Sequence, residues 1–178
     1  MLNSSWQECL KVQLQKLTAA DGRPRLAFMG IGHELCGDDA VGMRIAGLLR
    51  PLLGRDERCL VLEAGPAPEN FTGVLRRFQP DLVVLLDSAL MDEAPGGVRW
   101  LDWQETESLS ASTHTLPLHL LVSYLTAELG CATGLIGIQP GQTFADAPLT
   151  PSVQSAAEVV AGFLADSVKL QGRTLETN

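Results

Sequence analysis

Two hydrophobic rhythms alternate along the chain. Continuous or every-second apolar runs occupy residues 25–31 (RLAFMGI), 58–64 (RCLVLEA), 81–88 (DLVVLLDS), 98–101 and 132–138. Each reads as a strand, and the unbroken apolarity of 81–88 predicts a strand buried on both faces. Between them the spacing changes to that of a helix. Val41, Ile45, Leu48, Leu49 and Leu52 form one stripe over 39–53, with Pro51 predicting a distorted or early-ending last turn. Phe71, Val74, Leu75 and Phe78 form another over 69–78, after the breaks at Pro66 and Pro68. Leu118, Leu121, Val122, Leu125 and Leu129 mark a third over 116–129, closed by Gly130. Thr150 and Pro151 open a last helix, with Val153, Ala156, Ala157, Val160 and Leu164 facing inward, and the pattern fades from Lys169.

This order predicts a three-layer α/β domain: a five-stranded, mostly parallel sheet with helices on both faces. The run 98–101 follows the third strand after only a Pro/Gly turn. No crossover helix fits there, so antiparallel pairing is expected for it. The first 24 residues stand apart. Ser5 and Glu8 have the spacing of a capping box, and Trp6, Cys9, Leu10, Leu14 and Leu17 line one helical face. Such a helix either packs on the domain's own surface or docks to a partner. The organisation expected is therefore a helical extension over 1–24, the α/β domain over 25–168, and a polar tail over 169–178.

Composition narrows the function classes. A net charge of −8 disfavours binding to a phosphate backbone, so no nucleic acid is expected. The first 20 residues lack the apolar segment of a signal peptide, and no run approaches the ~20 apolar residues of a membrane span. Cys9, Cys36, Cys59 and Cys131 form no Cys-x-x-Cys pair, which fits reduced thiols and a cytoplasmic protein.

In an open parallel sheet, ligands bind beyond the carboxyl ends of the strands. Polar residues expected there are the loop Gly30-Ile31-Gly32-His33-Glu34-Leu35-Cys36-Gly37-Asp38-Asp39, then Asp87 at the end of the third strand, and His114 in the loop before the third core helix. A dinucleotide fingerprint fails because Leu35 stands where its last glycine belongs. A P-loop fails because Gly37 is followed by two aspartates, not Lys-Ser/Thr. A phosphoacceptor pocket would want a lysine after the last strand, where this chain has Gln139-Pro140. One aspartate of the pair, Asp38, suits a helix N-cap. Asp87 either caps a turn or belongs to a site, since a charge ending an apolar strand is costly unless paired or coordinated. His114 alone reads as a solvated or structural loop residue. Taken together, Asp39, Asp87 and His114 are an oxygen–oxygen–nitrogen set suited to a first-row divalent metal with open positions.

At these residues the sequence resembles the hydrogenase maturation endopeptidases, which trim the C-terminal tail of a nickel–iron hydrogenase large-subunit precursor. The likeness runs through GIGHELCGDDAVGMRIAGLL (30–49), EAGPAPEN (63–70), VVLLDSA (83–89), PGGVRWLD (95–102), THTLPL (113–118) and GLIGIQP (134–140). Ala67-Pro68-Glu69-Asn70 and Thr113-His114 are most similar to the type serving formate hydrogenlyase hydrogenases. The resemblance implies a twisted five-stranded sheet between helices, and a metal-binding triad at Asp39, Asp87 and His114, the residues also expected to be catalytic. It also implies a monomer acting on a protein substrate whose nickel is already inserted, with no resident organic cofactor. A non-catalytic nickel-site checkpoint or chaperone on the same fold is the competing class. Two departures stand out. His33 occupies the place of the family's usual Asn, either adding a nitrogen ligand or simply filling that position. Glu63-Ala64-Gly65 replaces Asp-Gly-Gly, so a differently shaped loop is expected.

Overall fold

The computed structural model describes residues 5–21, 23–101 and 118–173. In chain order these form α1 (Trp6–Asp21), β1 (Leu26–Ile31), α2 (Val41–Leu53), β2 (Cys59–Gly65), α3 (Thr72–Phe78), β3 (Leu82–Ser88), β4 (Val98–Leu101), α4 (Leu118–Leu129), β5 (Ala132–Ile138) and α5 (Pro151–Arg173). Short 3-10 turns at Gly37–Ala40 and Pro68–Phe71 lead into α2 and α3. The stripes expected over 39–53 and 69–78 thus each begin with a tighter turn. At the other end α2 continues past Pro51, whose missing N–H removes one bond of the last turn. It stops at Gly54, where φ is +64° and the N–H donates to Arg50 O at 3.2 Å.

The sheet order is β2-β1-β3-β5-β4, with β4 alone antiparallel. The side-chain alternation of β3 builds both halves of the core, as its unbroken apolar run predicts. Leu82, Val84 and Leu86 face α2 and α5, joining Ile45, Leu49, Val160 and Leu164. Val83 and Leu85 face α3 and α4, joining Leu75, Leu121 and Leu125.

The antiparallel partner of β4 differs from the strand that precedes it in sequence. β4 pairs with β5, not β3, because β3 is flanked on both edges by β1 and β5. The connection crosses the carboxyl end of β5, where Gly96 N–H donates to Gln139 O and Gln139 N–H to Gly97 O. The buried Gln139 side chain accepts Met91 N–H at 2.6 Å and pins this crossing.

Helix α1 carries the expected capping box: Glu8 N–H donates to Ser5 Oγ, and Ser5 N–H to Glu8 Oε2. Its Trp6, Leu10 and Leu14 are buried in the same cluster as α2 and α5, and the Trp6 ring meets Phe163 edge-on at 5.0 Å. The helix packs on the domain's own face, against β4 and α5. At the other terminus α5 runs through Arg173, five residues into the stretch read as tail. Lys169, Leu170 and Gln171 are good helix formers, so the helix persists where its apolar pattern ends. Among the described residues, no helix is long and apolar enough to cross a membrane.

Candidate functional site

The strand order reverses at β1: β2 lies on one side of it and β3 on the other. The crevice at the carboxyl ends of β1 and β3 is therefore the topological switch point, where open α/β sheets bind ligands. Two glycines let the chain close tightly around it. Gly32 has φ +123°, and a Cβ there would stand 1.8 Å from Asp39 O. Gly42, in the first turn of α2, rests on the strand ends, and its Cβ would stand 2.0 Å from Leu86 O and 2.3 Å from Ile31 O. With no side chain at either position, the start of α2 lies directly over β1 and β3, and Asp39 is carried to the end of β3.

Asp39 is half-buried, and its two oxygens have different donors. Oδ2 accepts the main-chain N–H of His33 at 2.7 Å, and Oδ1 accepts the Ser88 hydroxyl at 2.8 Å. Asp87, the penultimate residue of β3, is 1% exposed, and its Oδ1 accepts the main-chain N–H of Ser88 at 2.8 Å. Ser88 thus touches both carboxylates, one through its side chain and one through its backbone. The positive end of α2, just beyond Asp39, further favours an anion there.

The neighbouring Asp38 points away. It is fully buried and accepts N–H groups from Gly141 (2.8 Å), Gln142 (3.0 Å) and Thr150 (2.6 Å), plus the Thr150 hydroxyl at 2.9 Å. This corrects the reading of Asp38 as an N-cap: no side-chain cap bond is made at the start of the 3-10 turn or of α2. Asp38 instead anchors the loop between β5 and α5. Thr150 does precede α5, but its hydroxyl serves Asp38.

Of the residues singled out from sequence, Asp39 and Asp87 come together, while His114 lies outside the described residues. His33 contributes its backbone to Asp39. Its exposed imidazole turns back on its own loop, Nδ1 accepting Leu35 N–H at 3.3 Å. Among the described residues, no three of His, Cys, Asp and Glu converge closely enough to hold a metal. Ala64 lies within β2 at an ordinary φ, and the left-handed turn falls on Gly65, at +65°. The loss of a glycine at 64 therefore leaves this turn its glycine. Sequence reasoning named Gly32 in the loop but overlooked the close packing that it and Gly42 allow, and it overlooked the Ser88 hydroxyl. The two glycines had a signal, since they flank the acidic pair within one short loop-to-helix stretch. Ser88 had only its adjacency to Asp87.

The arrangement offers two neighbouring carboxylates at the carboxyl end of β3, one half-buried and one buried, whose oxygens suit a cation. A resident structural metal asks for about four protein ligands, whereas a metal arriving with ligands of its own needs fewer.

Residues 43–166 match the family model described as hydrogenase maturation protease (HycI). The chain is similar to a Methanocaldococcus jannaschii protein named after the same protease family, with 37% identity over 122 residues, covering 65% of this chain and 72% of that one. It is also similar to the hydrogenase 3 maturation protease of Escherichia coli K12, with 30% identity over 139 residues, covering 73% and 82% respectively. Among solved structures, the nickel–iron hydrogenase maturation protease HycI of Thermococcus kodakarensis superposes with a TM-score of 0.79 at 32% identity, over 90% of this chain and 99% of that one.

Proposed function

The chain belongs to the hydrogenase maturation protease family, a family of peptide hydrolases, and on that premise we propose that it removes the C-terminal extension of a hydrogenase large-subunit precursor in the cytoplasm, once nickel has been inserted. The observation that carries this reading is the pair Asp39 and Asp87, joined through Ser88 at the switch point. Two carboxylates, with His114 as an added nitrogen donor, are a partial ligand set. Such a set suits a nickel ion that arrives in the substrate with its own ligands. The ion would serve as the feature by which a loaded precursor is recognised.

The chemistry asked of the chain is then modest. Docking of the nickel site against Asp39 and Asp87 places the scissile peptide at the crevice, and positioning alone lowers a barrier by about 7–11 kcal/mol in favourable cases. A water adds to the peptide carbonyl and gives up its proton to a carboxylate, which typically contributes ~10²–10⁴-fold. The proton passes to the leaving nitrogen as the C–N bond breaks. Asp39 suits the role of base because it is half-exposed, while Asp87 is buried against the sheet.

The test is to incubate the protein with nickel-loaded and nickel-free precursor and to weigh the products. Release of an intact C-terminal peptide from the loaded form alone is the expected result, abolished by Asp39→Asn, Asp87→Asn and His114→Ala. Binding without shortening of either form would replace the protease reading with a non-catalytic nickel-site checkpoint.

A further inference from the structure

We infer that Ser88 is a positioning residue that holds Asp39 in the orientation in which it meets nickel; the inference rests on the proposed role of the carboxylate pair. Asp39 is gripped from two sides, by the His33 main-chain N–H on Oδ2 and the Ser88 hydroxyl on Oδ1. With both bonds made, the carboxylate plane is fixed, and each oxygen keeps a lone-pair direction for a cation. With only the His33 bond left, the plane can turn about the side-chain torsion. Ser88 is the residue whose side chain removes this grip without touching Asp87, because it reaches Asp87 through its backbone N–H. It also places two donors between neighbouring like charges, which lessens their repulsion before the metal arrives.

The experiment compares wild type, Ser88→Ala, Ser88→Thr, Asp39→Asn and the Ser88→Ala/Asp39→Asn double variant. Two quantities are measured: kcat and KM on nickel-loaded precursor, and Kd for nickel(II) ions alone by calorimetry. Loss of one charge-assisted hydrogen bond predicts that Ser88→Ala weakens nickel(II) binding and kcat/KM about tenfold, while Ser88→Thr, which keeps the hydroxyl, stays within about threefold of wild type. The effect of Ser88→Ala on Kd should vanish when residue 39 is already Asn, because the hydroxyl acts through that carboxylate. Wild-type values for Ser88→Ala, equal loss in Ser88→Thr, or an undiminished effect in the Asp39→Asn background would each overturn the inference. A wild type that binds nickel(II) but cuts nothing removes the protease reading and leaves Kd to judge Ser88. One that cuts without binding free nickel(II) leaves kcat/KM to judge it. One that does neither overturns both.

Discussion

Adjacent aspartates in the 3-10 turn face opposite ways, so removing their carboxylates should have opposite consequences. In Asp38→Ala, four donors lose their acceptor: the N–H groups of Gly141, Gln142 and Thr150, and the Thr150 hydroxyl. Each buried donor left unsatisfied costs about 1–3 kcal/mol. Water entering beside the exposed Gly141 would satisfy part of the set, so the expected net loss is about 3–5 kcal/mol. For a chain of this length each kcal/mol shifts the melting temperature by roughly 2–4 °C, so a drop of about 6–20 °C is expected. Asp39→Ala releases one main-chain N–H beside exposed His33 and one hydroxyl, and should cost only about 1 kcal/mol. Calorimetric or circular-dichroism melts of the two variants, beside cleavage of loaded precursor, decide the matter. Asp38→Ala should lose stability first, while Asp39→Ala should stay folded and lose activity. A melting temperature for Asp38→Ala close to that of wild type would refute the reasoning, as would equal destabilisation of both variants.

Three further outcomes follow from the packing. Leu10 is 1% exposed in the shared core, so Leu10→Ala should cost about 2–5 kcal/mol in urea unfolding, whereas Val12→Ala on the exposed side of the same helix should be nearly silent. Equal effects would mean that α1 is not part of the core. Gly42→Ala forces a Cβ onto the carbonyls of Leu86 and Ile31; backbone must shift, and a loss of about 1–3 kcal/mol with impaired cleavage is expected, an unchanged melt being the contrary result. Burial, helped by the nearby Asp56 carboxylate and opposed by Arg23, pushes the Cys59 thiol up from 9.0 to about 11. Its alkylation in the folded protein at pH 8 should therefore be much slower than in urea, and the protonated thiol favours the fold below pH 9, an advantage lost as pH rises towards 11. Equal labelling rates in the folded and unfolded protein would contradict this.

Much of the site was legible because local chemistry announces itself. Asp87 ends an unbroken apolar strand, and a charge in that place needs a reason. Asp38 and Asp39 stand out as a pair, and Asp38 reads as the structural one, yet neighbouring residues alone do not choose its partners. The choice is made by the loop at 141–150, more than a hundred residues away, whose N–H groups converge on Asp38. The role of Ser88 was hidden for a similar reason: its hydroxyl is informative only once α2 is laid over β3.

The fold class, the five strands, the boundaries of β4 and β5 and the capping box of α1 were determined by the sequence by itself. They depend on hydrophobic period, turn residues and spacings that act within a few residues. The three-dimensional packing fixed which edge β4 joins, that α1 shares the core, and which groups Asp38 binds. Each of these turns on partners distant in the chain. β4 goes to β5 because β3 has no free edge, and Asp39 reaches Ser88 because Gly42 lets a helix rest on bare backbone. Pattern along a chain registers what a residue needs, and only packing in three dimensions settles which neighbour supplies it.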